Sequence, residues 1–188
     1  MQDPFFFGYG SLVNRRTHHY AEAAPARVRG WRRAWRKSPL RQRCFLTVLP
    51  APGVEIEGLV AAVPGADWAA LDEREHAYAR HDVSGRVTHA VGREIDVALY
   101  AIPEGAHHDP GPEHPVLLSY IDVVVQGFLA EFGEAGVRRF FETTEGWHVP
   151  VLDDRAQPVY ARHQPLDRHE RALVEDELAR IGARVVRG

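Results

Sequence analysis

Apolar positions recur at two different spacings along the chain. In the first half they come as short runs or alternate with polar residues, the mark of strands. In the second half they step by three and four, the mark of helices. Phe5, Phe6 and Phe7 form a run that ends at Gly8, a short buried strand close to the first residue. A polar stretch from Asn14 to Ala26 reads as loop or short helix. Arg27, Arg29, Trp31, Arg33 and Trp35 then share one parity, as on one face of a strand, with arginine stems covering tryptophan faces at the surface. Residues 44–49 (CFLTVL) form a second apolar strand, closed by Pro50, Pro52 and Gly53. Residues 54–63 (VEIEGLVAAV) alternate at first and then turn wholly apolar, a strand passing from an edge into the core. Gly58 inside it indicates a bulge or a close backbone approach.

Residues 66–75 predict a helix, with Asp67 as N-cap and Trp68 and Leu71 as its inward stripe. Glu75 lies four residues beyond Leu71 and falls on the same face, whereas Glu73 and Arg74 point out. Two strands, about 81–91 and 94–102, are joined by a hairpin at Gly92-Arg93. Pro115 opens the longest helix. Leu117, Ile121, Val124, Phe128 and Phe132 line one side of it, Tyr120 sits beside that stripe, and Gly133 ends it. A shorter helix over 134–143 presents Val137, Phe140 and Phe141. Residues 147–152 and 158–161 read as two short strands around a turn at 153–155. The last helix starts at Asp167, with Glu170 three residues on as a capping box. It buries Leu173, Val174, Leu178 and Ile181 and stops at Gly182. Strands come first and helices later, which indicates α+β rather than a doubly wound parallel sheet.

Composition narrows the function classes. The 188 residues suit one domain, 45% hydrophobic and 26% charged. A net charge of −3 argues against nucleic acid or an anionic membrane as main partner, although residues 27–43 carry eight positive side chains and no acid. That stretch is better suited to attracting an acidic small molecule. The single cysteine, Cys44, excludes an internal disulfide framework and suggests a reducing compartment. The first residues lack a cationic leader and no apolar run is long enough to span a bilayer, so a cytoplasmic location is expected. His107, His108, Asp109 and His114 show no established metal-ligand spacing, and neither metal nor cofactor is expected.

Two features point to chemistry. After the triple-Phe run, Gly8-Tyr9-Gly10-Ser11 can turn successive N–H groups toward one anionic point, a nest for a carboxylate or carbonyl. Glu75, on a buried stripe, is costly unless it has a task or partner, and burial should raise its pKa as a general base requires. Other chemistries fit less well. Ser11 lacks the G-x-S-x-G elbow of a nucleophilic hydrolase. Cys44 carries no local nucleophile signature. Val13 stands where a dinucleotide fingerprint needs its third glycine.

Phe7-Gly8-Tyr9-Gly10-Ser11-Leu12, followed some sixty residues on by Leu71-Asp72-Glu73-Arg74-Glu75, resembles the γ-glutamylcyclotransferase superfamily, which includes ChaC-type and AIG2-like proteins. Tyr-Gly-Ser-Leu and the nearby Gly30-Trp31-Arg32-Arg33 look more like the ChaC branch. Ser119-Tyr120 looks like the family's substrate-contacting tyrosine. The matched segments span roughly residues 5 to 125, and a C-terminal helical extension completes a single domain over 1–188. One departure is His76-Ala77-Tyr78, where relatives often carry a glycine soon after the catalytic glutamate.

The resemblance implies a compact mixed β-barrel with flanking helices whose cavity takes a small γ-glutamyl compound. Glu75 would be the catalytic acid/base. Phe7, Gly8, Tyr9, Gly10, Ser11, Leu12 and Tyr120 would bind substrate. The implied reaction releases 5-oxoproline and a free amine without a cofactor. A non-catalytic ligand-binding or scaffold protein of the same fold is the alternative.

Overall fold

The triple-Phe run is the central strand, β1 (Phe5–Gly8), with all four residues buried. The structure is a computed structural model that describes residues 2–38 and 43–187. Arg41 of the basic run lies outside them. β1 runs antiparallel to β3 (Phe45–Ala62) on one side and parallel to β6 (Val97–Ala101) on the other. β3 pairs next with β2 (Ala24–Arg36), and β2 carries β5 (Val87–His89). β6 carries β4 (Ala79–Asp82). The order β4-β6-β1-β3-β2-β5, with β8 (Thr144–Glu145) also on β2, makes one mixed sheet that curls into a half-barrel. A small parallel sheet joins β7 (Val116–Leu117), β9 (Val151–Asp153) and β10 (Val185–Arg187). The helices are α1 (Ala69–Arg74), α2 (Leu118–Glu142) and α3 (Arg168–Arg180). The α+β class expected from the sequence is the class observed.

The two apolar strands at 44–49 and 54–63 are one strand with an interruption. Arg29 faces Glu55 and Trp31 faces Pro50, so Gly30 alone opposes residues 51–54. Pro50, Pro52 and Gly53 therefore mark a bulge rather than an end, and a missing proline N–H is tolerated there. On the β2 side Gly30 takes φ +84°, which a β-carbon would oppose.

This bulge also overturns the one-face pattern of β2. Before it, Arg27 and Arg29 are exposed and Val28 is buried. Beyond it Trp31, Arg33 and Trp35 are buried, Arg33 to 1% exposure. One unpaired residue exchanges the two faces of a strand, because side chains alternate with period two. Three of the arginines have acidic partners. Arg27 pairs with Glu57, Arg32 with Glu145 and Arg36 with Asp109.

Other boundaries differ from the sequence pattern. Residues 81–91 are not one strand: β4 stops at Asp82, a short 3₁₀ turn follows, and β5 crosses to β2 instead of pairing with its neighbour. The tight Gly92-Arg93 hairpin is accordingly absent. Residues 158–161 are coil, and β10 had no counterpart in the sequence pattern. The helical features hold better. Ile121, Val124 and Phe128 are fully buried, and the helix breaks at Gly133 (φ 65°) before a second segment that buries Val137, Phe140 and Phe141. Asp167 accepts a bond from the Glu170 N–H (2.8 Å), and the Glu170 carboxylate accepts one from the Asp167 N–H (2.9 Å), the expected capping box.

Gly58 makes the expected close approach. A β-carbon there would collide with the Gly8 carbonyl oxygen and stand 2.5 Å from Cζ of Phe7. Both obstacles belong to the central strand, which has no room to yield. Gly58→Ala is expected to destabilise the fold by about 1–3 kcal/mol, measured as a lower urea midpoint with unchanged slope.

Candidate active site

The turn after β1 is held from beneath by Arg33. Its Nε donates to the Tyr9 carbonyl (2.9 Å), one Nη to the Glu57 carbonyl, and the other to Thr143 Oγ1 (3.0 Å). The guanidinium also lies over the rings of Phe128 (4.9 Å) and Phe140 (5.4 Å). Burial pulls its pKa down to about 9, which leaves it charged at neutral pH. In a trans peptide the C=O and the following N–H point opposite ways. Fixing the Tyr9 carbonyl on Arg33 thus turns the Gly10 N–H to the other side. Among the described residues no backbone acceptor takes the N–H of Gly10 or Leu12. Gly10 is needed here for space, since a β-carbon would lie 2.6 Å from the Tyr120 hydroxyl.

Glu75 follows α1 directly as its C-cap, at φ −104° and ψ 30°. Its side chain is 18% exposed and meets Arg74 Nε at 3.3 Å. Arg74 continues to the Thr17 carbonyl (3.1 Å) and Ser11 Oγ (3.2 Å), tying the end of α1 to the turn after β1. Glu75 borders two adjoining spaces. One is a narrow cleft of about 40 Å³, lined by Phe7 through Leu12 with Tyr100 and Tyr120. The other is a chamber of about 890 Å³, walled in part by Trp35, Cys44, Tyr78, Tyr120 and Tyr160. Ser11, Leu46, Glu75, Tyr78 and Tyr120 line both.

Three tyrosines around Glu75 are held neutral. Burial raises the Tyr9, Tyr100 and Tyr120 pKa values above the ordinary phenol range, and the Glu75 charge pushes each in the same direction. For Tyr100 the Asp72 carboxylate adds to the effect by accepting its hydroxyl bond (2.5 Å). Tyr9 donates to the Tyr100 carbonyl (2.6 Å), and Tyr78 to the Leu46 carbonyl (2.9 Å). Tyr9 and Tyr100 thus stay neutral with their protons already on protein acceptors, and Tyr120 is the neutral phenol that faces both spaces.

All the residues singled out from the sequence converge here: Glu75, Tyr120 and the stretch from Phe7 to Leu12 line one cleft. Arg74 does not point outward as expected. The helix ends at residue 74, so the wheel that placed Glu75 inward and Arg74 outward does not extend to Glu75, and the Arg74 side chain at the last helical position is 8% exposed. The sequence pattern missed Arg33, Arg74 and Tyr160. The bulge at Gly30 is the only local signal for Arg33. Tyr160 is brought in from coil 149 positions beyond Ser11, to which its hydroxyl donates (2.9 Å). Among the described residues no group of three or more His, Cys, Asp or Glu side chains is placed to hold a metal ion, and no helix is long and apolar enough to cross a membrane.

Several solved structures share this architecture. One described as γ-glutamyl cyclotransferase is 17% identical, with a TM-score of 0.56 over 93% of this chain and 99% of its own. The uncharacterized protein loc79017 from Homo sapiens is 17% identical, with a TM-score of 0.59 and the same coverage. YkqA from Bacillus subtilis, also 17% identical, gives 0.57 over 78% of this chain and 57% of its own. At that identity the likeness defines a γ-glutamyl cyclotransferase fold. No curated protein matches by sequence. The family model for "Gamma-glutamyl cyclotransferase, AIG2-like" matches residues 6–120, more than half of the 188, and the chain belongs to that family.

Cys44 in the chamber wall and His18 behind the turn respond predictably to solution conditions. Burial pushes the Cys44 thiol up to about 12, and its Sγ donates to the His114 carbonyl (2.9 Å). Cys44 should therefore resist alkylation by iodoacetamide at pH 8 in the folded protein and react after denaturation, read by intact mass. His18 accepts the Tyr20 N–H on Nδ1 (3.3 Å), so its Nε2–H donates to the Leu12 carbonyl (3.0 Å). Burial lowers the His18 pKa, and a second proton would oppose the Tyr20 N–H. The unfolded chain takes that proton near pH 6.5, so stability should fall as pH drops through that value. The fall in Tm between pH 7.5 and 5.5 should be shallower in His18→Gln.

Proposed function

We propose that this protein performs intramolecular acyl transfer on a γ-glutamyl peptide or amine, releasing 5-oxoproline and a free amine. The observation that carries the reading is the shared cleft: a largely buried carboxylate, Glu75, faces the turn after β1 across a space bounded by neutral tyrosines. Family membership supports it.

The chemistry uses the substrate's own amine. The α-nitrogen attacks the γ-carbonyl carbon and closes a five-membered ring. The bond from that carbon to the leaving nitrogen then breaks. At neutral pH the α-amine is largely protonated, with a pKa of about 8. Glu75 removes that proton and returns one to the leaving nitrogen, so the step consumes no water and needs no redox partner. Folding the substrate so that amine meets carbonyl draws on proximity. The N–H groups of Gly10 and Leu12 and the Tyr120 hydroxyl are the donors for the γ-glutamyl group and the developing oxyanion. The larger chamber receives the leaving amine, and a cytoplasmic, glutathione-related role would fit this chemistry.

Glu75→Gln should keep the parental Tm and still bind γ-glutamyl compounds, while turnover falls by about 10²- to 10⁴-fold. The assay is 5-oxoproline release from glutathione, γ-glutamyl dipeptides and γ-glutamyl amines. Release by Glu75→Gln near the parental rate would sink the mechanism. A parent that binds these compounds and releases nothing would be a binding protein of the same fold.

A further inference from the structure

Ser11 Oγ accepts two hydrogen bonds, from the Tyr160 hydroxyl (2.9 Å) and from Arg74 Nη2 (3.2 Å). A serine hydroxyl has two lone pairs and one proton, and a guanidinium can only donate. With both lone pairs engaged, the Ser11 proton is the remaining hydrogen-bonding capacity. Among the described residues Ser11 Oγ donates to none, yet Ser11 borders both the narrow cleft and the chamber beside Glu75.

Tyr160 is held in this position by a buried framework. The Asp154 carboxylate, 7% exposed, accepts from the Ser119 N–H (2.8 Å), the Ser119 hydroxyl (2.6 Å) and the Val159 N–H (2.9 Å). Ser119 Oγ accepts the Tyr160 N–H (3.3 Å). Arg155 forks onto Asp122 of α2 (2.8 and 2.7 Å). The Tyr160 ring meets the Tyr120 ring edge-on at 5.0 Å. Residue 160 lies beyond the 6–120 family match, so this contact is supplied by the chain's own C-terminal part.

We propose that Tyr160 is a positioning residue: with Arg74 it fills the acceptor sites of Ser11 and commits the Ser11 hydroxyl to donate to a carboxylate or carbonyl oxygen of the bound γ-glutamyl compound. The inference rests on the proposed function for the identity of the ligand. Tyr160 makes no hydrogen bond to the γ-glutamyl group in this arrangement; its ring only walls the larger chamber. Removing its hydroxyl frees a lone pair on Ser11, and the Ser11 proton is no longer committed to the ligand.

A double-mutant cycle tests this in the Glu75→Gln background, where binding of a γ-glutamyl dipeptide is read by calorimetry without turnover. Tyr160→Phe should weaken binding about 5-fold and Ser11→Ala about 10-fold, the range for the loss of one ordinary hydrogen bond. Tyr160→Phe added to Ser11→Ala should change binding less than about 2-fold. An equal loss from Tyr160→Phe in both backgrounds would mean direct contact with ligand and overturn the proposal. No loss in either would make Tyr160 a packing wall and overturn it as well. Turnover by the parent is scored separately. Intact coupling without 5-oxoproline release counts against catalysis alone, and release without coupling counts against Tyr160 alone. A protein that binds no γ-glutamyl compound overturns both.

Discussion

A single buried guanidinium underlies the candidate site of this protein. Arg33 lies under the turn after β1, bonded to the carbonyls of Tyr9 and Glu57 and covered by two phenyl rings. A buried cation is tolerated only where its hydrogens are spent on acceptors, and Arg33 has three such partners. Its geometry orients the Tyr9–Gly10 peptide and so decides which side of the turn offers N–H groups. The negative charge that accompanies it is also buried. Glu57 is 7% exposed and accepts from Arg27 and Arg139 across the sheet edge. Removing Arg33 would leave the Tyr9 and Glu57 carbonyls without that donor, whereas the Glu57 carboxylate keeps one cation if either Arg27 or Arg139 is lost.

The site on the opposite side of that turn follows a different rule. There, one acid stands among tyrosines that burial and its own charge keep protonated. Phenols in that state are fixed hydrogen-bond donors or acceptors whose role does not change across the neutral pH range. Arg74 and Tyr160 extend the arrangement by converging on Ser11 from α1 and from the C-terminal coil. Three distant parts of the chain thus meet on one hydroxyl, and the cleft and chamber on either side of Glu75 share it.

Legibility in the sequence tracked the range of the forces involved. Two helix features were readable because they are local: Asp167 with Glu170, and the break at Gly133, appear where the sequence placed them, whereas the longest helix opens at Leu118 rather than Pro115 because residues 116–117 join a strand pairing, and α1 is capped by Trp68 rather than Asp67. The buried strand at Phe5–Gly8 and the crowding at Gly58 were equally plain, since a triple-aromatic run and an isolated glycine each have few structural solutions. Residues 81–91 misled because strand propensity does not name a partner, and β5 found its own across the sheet. The end of α1 misled in a subtler way. A helix wheel applies only while the backbone remains helical, and Glu75 already lies outside it.

The sequence by itself determined the α+β class, the glutamate at 75, the turn at 7–12 and the family they jointly resemble. These depend on residue type and near-neighbour spacing, which a linear chain displays directly. Tertiary structure alone decided that Arg33 turns inward, that Arg74 faces the chamber, and that Tyr160 reaches Ser11. The first depends on a register shift of a single residue against four, which exchanges the faces of a strand. The last two depend on where a helix stops and where a coil is anchored, and both are fixed by contacts between residues remote in the chain.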